Sequence, residues 1–95
     1  MSHLFITVGA VPDSVTEWVG KEIEKEASAW LTYFPGQWVI CTSKPFETWL
    51  ARLSERVLSH RGYLLIMELG HNQRASGVLP KEAWDWLRNH HFKVG

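Results

Sequence analysis

The spacing of apolar residues changes along the chain, and each change marks an element. Leu4-Phe5-Ile6-Thr7-Val8 is a short run of strand formers closed by Gly9, and it predicts a first strand. Val15, Val19, Ile23 and Ala27 then recur at four-residue spacing with Trp18 beside them, while Lys21, Glu22, Glu24, Lys25 and Glu26 take the opposite face. That is the pattern of an amphipathic helix. Pro12-Asp13-Ser14 marks its start, with Ser14 and Glu17 spaced as a capping box. Gly20 weakens the helix slightly and would permit close packing on a sheet.

Residues 29–34 and 37–42 are two runs of aromatic and β-branched residues separated by Pro35-Gly36. Pro presets the first central position of a turn and Gly supplies the positive φ of the second, so an antiparallel hairpin is expected. Thr42-Ser43-Lys44-Pro45 opens a second helix, whose stripe is Phe46, Trp49, Leu50, Leu53 and Val57. After the break at His60-Arg61-Gly62, residues 63–69 are apolar throughout except for Glu68. An uninterrupted run of this kind predicts a central strand buried on both faces. Residues 70–78 form a polar loop, and a short terminal helix is expected over 79–90.

The resulting order is strand, helix, strand, strand, helix, strand, then loop and helix. It predicts a single α/β (α+β) domain over residues 1–95 of the ferredoxin-like βαββαβ type. The four-stranded antiparallel sheet would carry both long helices on one face. Its other face needs a cover, supplied by the terminal helix, a second copy of the chain, or both.

Composition narrows the function classes. Ten basic and ten acidic residues cancel to a formal net charge of zero. Binding by phosphate neutralisation draws on a basic excess, so net charge does not indicate a nucleic-acid partner. The single cysteine, Cys41, excludes an intrachain disulfide and removes any cysteine-based zinc site within one chain from expectation. Inside a strand it reads as a small hydrophobe. No leader pattern and no bilayer-length apolar run stands out, so the expected compartment is the cytoplasm and no membrane partner is expected.

The polar candidates each have two readings. Asp13 is a displaced metal ligand or a cap and first-turn charge. Glu68 is a general acid or base in an apolar strand, or a residue at a strand edge. His71, Asn72, Gln73 and Arg74 can bind an anion, or are simply polar loop residues. His3, His90 and His91 read as solvated terminal residues rather than metal ligands, because adjacent histidines diverge by about 100° on a helix.

The tryptophans say more. Trp84 and Trp86, two residues apart, face nearly opposite ways on a helix, so at least one is expected to meet another surface. Trp30 and Trp38, in phase with Thr32, Phe34 and Ile40, would form an aromatic sheet face suited to self-association.

Gly77-Val78-Leu79-Pro80-Lys81-Glu82-Ala83-Trp84-Asp85-Trp86-Leu87, with Trp38-Val39-Ile40 and Leu64-Leu65-Ile66-Met67-Glu68, resembles the SinR-like family of small bacterial or phage proteins. That family is similar in fold to the CRISPR-associated adaptation nucleases and the VapD toxins. The resemblance, over roughly residues 30–87, implies a ferredoxin-like fold and a two-fold dimer packed through the sheets. In the nuclease relatives an aspartate ends the first strand and binds a catalytic metal. Here that strand ends Thr7-Val8-Gly9-Ala10, without an acid.

The leading expectation is therefore a non-catalytic homodimer that holds a protein partner, with no cofactor and no metal, in the phage–host defence or counter-defence setting that the resemblance implies. Its interface candidates are Trp30, Trp38, Trp84, Trp86, His71 and Arg74. The first alternative is a Mg²⁺- or Mn²⁺-dependent ribonuclease or deoxyribonuclease using Asp13 and Glu68. The second is capture of a nucleotide or small ligand between protomers.

Overall fold

The computed structural model describes residues 1–70 and 74–94. Strand β1 (Ser2–Gly9) is the hinge of the fold. Its alternation sends Leu4, Ile6 and Val8 into the core and His3, Phe5 and Thr7 to the opposite face, as the two-residue period of a strand requires. β1 pairs antiparallel with β3 (Gln37–Thr42) on one side and β4 (Tyr63–Leu69) on the other, and β2 (Ala29–Leu31) completes the sheet beside β3. The order β2-β3-β1-β4, with helices α1 (Asp13–Glu26) and α2 (Phe46–Ser59) as the crossovers, is the ferredoxin-like arrangement expected.

Both crossover helices cover the inner face. Val15, Val19 and Ile23 from α1 and Trp49, Leu53 and Val57 from α2 close on Leu4, Ile6, Ile40 and Ile66. Burial of each such aliphatic side chain contributes about 1.5–3 kcal/mol. The buried Trp49 indole N–H donates to Thr42 Oγ1 at 3.1 Å, and the same hydroxyl accepts the Lys44 N–H at 3.0 Å. Above this core, Arg52 bridges to Glu26 at 2.9 Å and to Glu22 at 3.5 Å, Lys44 reaches Glu26 at 3.2 Å, and Arg56 lies 4.8 Å over the Trp18 ring.

Local chemistry explains where elements differ from expectation. Pro12 is the N-cap of α1 and its carbonyl accepts the Val15 and Thr16 N–H groups, so Ser14 falls inside the first turn and no capping box forms. β2 ends at Leu31 rather than Phe34. There the Thr32 hydroxyl bonds the Gln37 carbonyl at 2.8 Å in place of a backbone ladder. The turn itself is as predicted: Gln37 N–H donates to the Phe34 carbonyl at 3.1 Å, and Gly36 has φ +77°.

Two larger corrections concern the sheet. β4 is an edge strand, not a central one. Its apolar run is apolar on both faces because Leu64 and Ile66 join the core while Tyr63, Leu65 and Met67 point outward. Trp38 lies in the helix-covered core, where its ring is close enough to Gly20 to meet any added Cβ at 3.6 Å. Trp30, opposite Ile40 on β2, sits at the rim of that inner face, so no open aromatic face joins the two.

The outer face is partly covered by α3 (Lys81–Asn89), which buries Ala83 and Leu87. The terminal helix thus packs within its own chain. Beyond it His91 adopts φ +70° and the Phe92 N–H returns to the Leu87 carbonyl at 3.0 Å, a Schellman-type end. The chain then swings back, burying Phe92, and β6 (Lys93–Val94) pairs parallel with β5 (Arg74–Ala75). Within the polar loop, Arg74 is therefore a strand residue. No helix among the described residues is long and apolar enough to cross a membrane.

Candidate functional site

The outer sheet face carries two features beside α3. The first is the bare half of the face. Tyr63, Leu65 and Met67 are 74%, 51% and 48% exposed, and they form an apolar stripe along the edge strand. On the other side of α3, Phe5, Leu31, Tyr33, Phe34, Leu79 and Leu87 line an apolar groove. Isolated exposed apolar residues are ordinary, but a contiguous stripe on an unpaired edge marks a surface built to be covered.

The second feature is a side-chain cluster. His3 on β1 stands directly opposite Cys41 on β3, and both point outward, toward the end of α3. His90, the C-cap of α3, places its Nδ1 3.1 Å from His3 Nε2. The three ligand atoms lie within 4.8 Å of one another. Trp86 holds the His90 ring in a stack at 3.8 Å and 16°, and Phe92 meets the His3 ring edge-on at 5.2 Å. The Met1 thioether lies 3.6 Å from the buried Cys41 thiol. Burial, and then the neighbouring His91, hold the His90 imidazole below its ordinary pKa.

The sequence-predicted residues fall in different places. Trp86 belongs to the His3–His90 cluster, while Trp84 faces a small hollow with Ser76, Gly77 and Val94. The opposed directions expected of these two tryptophans are therefore present, and both rings are half-buried. Arg74 is exposed on β5, beside a cavity shared with Phe5, Leu87 and Phe92. His71 lies outside the described residues.

Asp13 is an exposed charge in the first turn of α1. Glu68 is exposed near the far end of β4, paired with Leu4, whereas Asp13 follows the opposite end of β1. Within one chain the two carboxylates are thus separated by most of the sheet's length, about 15 Å at the rise of a strand. The structure does not bring them together.

Sequence reasoning missed the cluster, taking His3 and His90 for solvated ends and Cys41 for an isolated hydrophobe. One cysteine excludes a site of several thiolates but not a mixed one. The signal lay in strand register, which sets His3 against Cys41. Comparison with known proteins gives no matching family model, no matching curated protein and no matching solved structure.

Proposed function

We propose that the chain is a homodimeric interaction module that self-associates through the outer face and free edge of β4. The observation that carries this reading is the exposed Tyr63-Leu65-Met67 stripe on an edge strand of seven residues. A long apolar edge left open is an aggregation hazard, and pairing with a second copy about a two-fold axis, the commonest symmetry of homo-oligomers, closes it. The neutral net charge is compatible with close approach of two identical surfaces.

Antiparallel pairing of two β4 strands about Ile66 sets Leu65 against Met67 of the partner subunit and Tyr63 against Leu69 of the partner subunit. One eight-stranded sheet results, and the two apolar stripes merge. The groove lined by Tyr33 and Phe34 remains open on each protomer for a protein partner. The SinR-like resemblance, with its sheet-packed dimers, points the same way and is the sole basis for a setting in phage–host defence.

Hydrogen exchange tests the pairing. The β4 amides that point away from β1 are expected to be protected at high protein concentration and to lose protection on dilution. Fast exchange of those amides at every concentration would rule out pairing through this edge.

A further inference from the structure

We propose that His3, Cys41 and His90 form a binding site for one thiophilic transition-metal ion of the Zn²⁺ type. The site is independent of the self-association surface, since none of Tyr63, Leu65 and Met67 contributes to it.

The donor set suits such an ion. Two imidazole nitrogens and a thiolate are borderline-to-soft ligands, which select zinc-like ions over Mg²⁺ or Ca²⁺. Distance agrees with chemistry. Zinc–nitrogen bonds of about 2.0–2.1 Å at a tetrahedral angle put two ligand nitrogens ~3.3 Å apart, and His3 Nε2 and His90 Nδ1 stand at 3.1 Å. The Cys41 sulfur lies within 4.8 Å of a ring nitrogen of each histidine, so a small movement of its side chain completes a three-ligand set. The fourth position is left for water or another donor.

The surroundings are those of a supported site. The Trp86 stack fixes the His90 ring, and Phe92 packs against His3, so rotamers are held before the ion arrives. His3 also lines an open cleft with Met1, Ser2 and Gly70. On binding, the Cys41 thiol gives its proton to solvent, the proton between His3 Nε2 and His90 Nδ1 moves to the other nitrogen of its ring, and the thiolate and both freed nitrogens donate their electron pairs to the metal; no oxidant or reductant is required.

The consequence is a staple. The ligands come from β1, β3 and the C-cap of α3, so one ion ties the terminal helix to the outer sheet face. That contact otherwise rests on Ala83, Leu87, Phe92 and the ring cluster.

The test is titration of the full chain, under reducing conditions, with Co²⁺ as a spectroscopic stand-in and then with Zn²⁺. One Co²⁺ per chain should give a near-ultraviolet thiolate charge-transfer band and tetrahedral visible bands, and Zn²⁺ should displace it. Cys41→Ser should abolish the charge-transfer band. His90→Gln should weaken binding by more than the roughly 10–100-fold that even an outer-shell partner is worth. His91→Gln, altering the exposed neighbour, should leave affinity unchanged. Should the Cys41 variant misfold, the Zn²⁺-dependent rise in Tm of the native chain and its loss in His90→Gln decide the matter. Absence of a thiolate band at excess Co²⁺, or affinity unchanged in His90→Gln, would reduce the cluster to a hydrogen-bonded histidine pair.

Discussion

Met67 on β4 stands directly opposite Phe5 on β1, yet the two outward-facing side chains have different fates. Phe5 is half-buried beside the cavity under α3, next to Leu87, while Met67 is 48% exposed. The boundary of the intramolecular cover therefore runs between adjacent strands. α3 has 9 residues and so spans only ~13 Å, too short to cover a four-stranded face whose strands are each ~4.8 Å apart along its full length. What it leaves bare is the edge strand.

The buried Thr42 hydroxyl is the polar keystone between β3 and α2. Thr42→Val preserves shape but leaves the Trp49 indole N–H without its acceptor, and removes the acceptor of the Lys44 N–H. A loss of about 1–3 kcal/mol is expected from urea unfolding, with the slope of the transition unchanged. A cost below experimental error would show that these bonds are dispensable.

Gly36 is required by both conformation and space. Its φ is +77°, and an added Cβ would fall 2.7 Å from the Val8 carbonyl oxygen, which is backbone and cannot step aside. Gly36→Ala is expected to destabilise by at least ~1–2 kcal/mol. Gly9→Ala, where a Cβ meets nothing within 4 Å, should stay within about 0.5 kcal/mol of wild type. Thermal unfolding of the two variants side by side separates them.

The α1–α2 seam carries a pH signature. Hydrogen bonds from Arg52 and then Lys44 hold the Glu26 carboxyl below its ordinary pKa. A carboxyl depressed in the folded state binds fewer protons there than in the unfolded chain. Its stabilising contribution is therefore fully present above the ordinary glutamate range and fades as pH falls through the depressed value. Glu26→Gln should flatten that part of the stability–pH curve, and added salt should shrink the difference because the pair is near the surface. An identical acid limb in the variant would show that Glu26 makes no such contribution.

Much of the fold was legible because local chemistry and pattern agree. The Pro35-Gly36 turn, the Val15–Val19–Ile23 and Trp49–Leu53–Val57 stripes and the strand Gln37–Thr42 all appear as read. The site was less legible because it depends on non-local facts. Trp30, Trp38 and Ile40 share a face as their phase implies, but a two-residue period does not tell which face the helices cover. An apolar run such as 63–69 tells that both faces are apolar, not what covers them. His3, Cys41 and His90 are brought together by the β1–β3 register and the return of α3, and no spacing along the chain encodes that meeting. The two-residue strands Arg74–Ala75 and Lys93–Val94 are too short to leave a periodic trace.

Self-association through β4 makes the oligomeric state depend on concentration, and sedimentation velocity across the micromolar range reads that dependence. The native chain should sediment as a dimer that dissociates on dilution. The double variant Leu65→Glu, Met67→Glu should remain a monomer with unchanged far-ultraviolet circular dichroism, because the facing positions 65 and 67 would then set like charges directly opposite each other across the paired strands. A native chain that is monomeric throughout, or a folded double variant that still dimerises, would rule out self-association through β4.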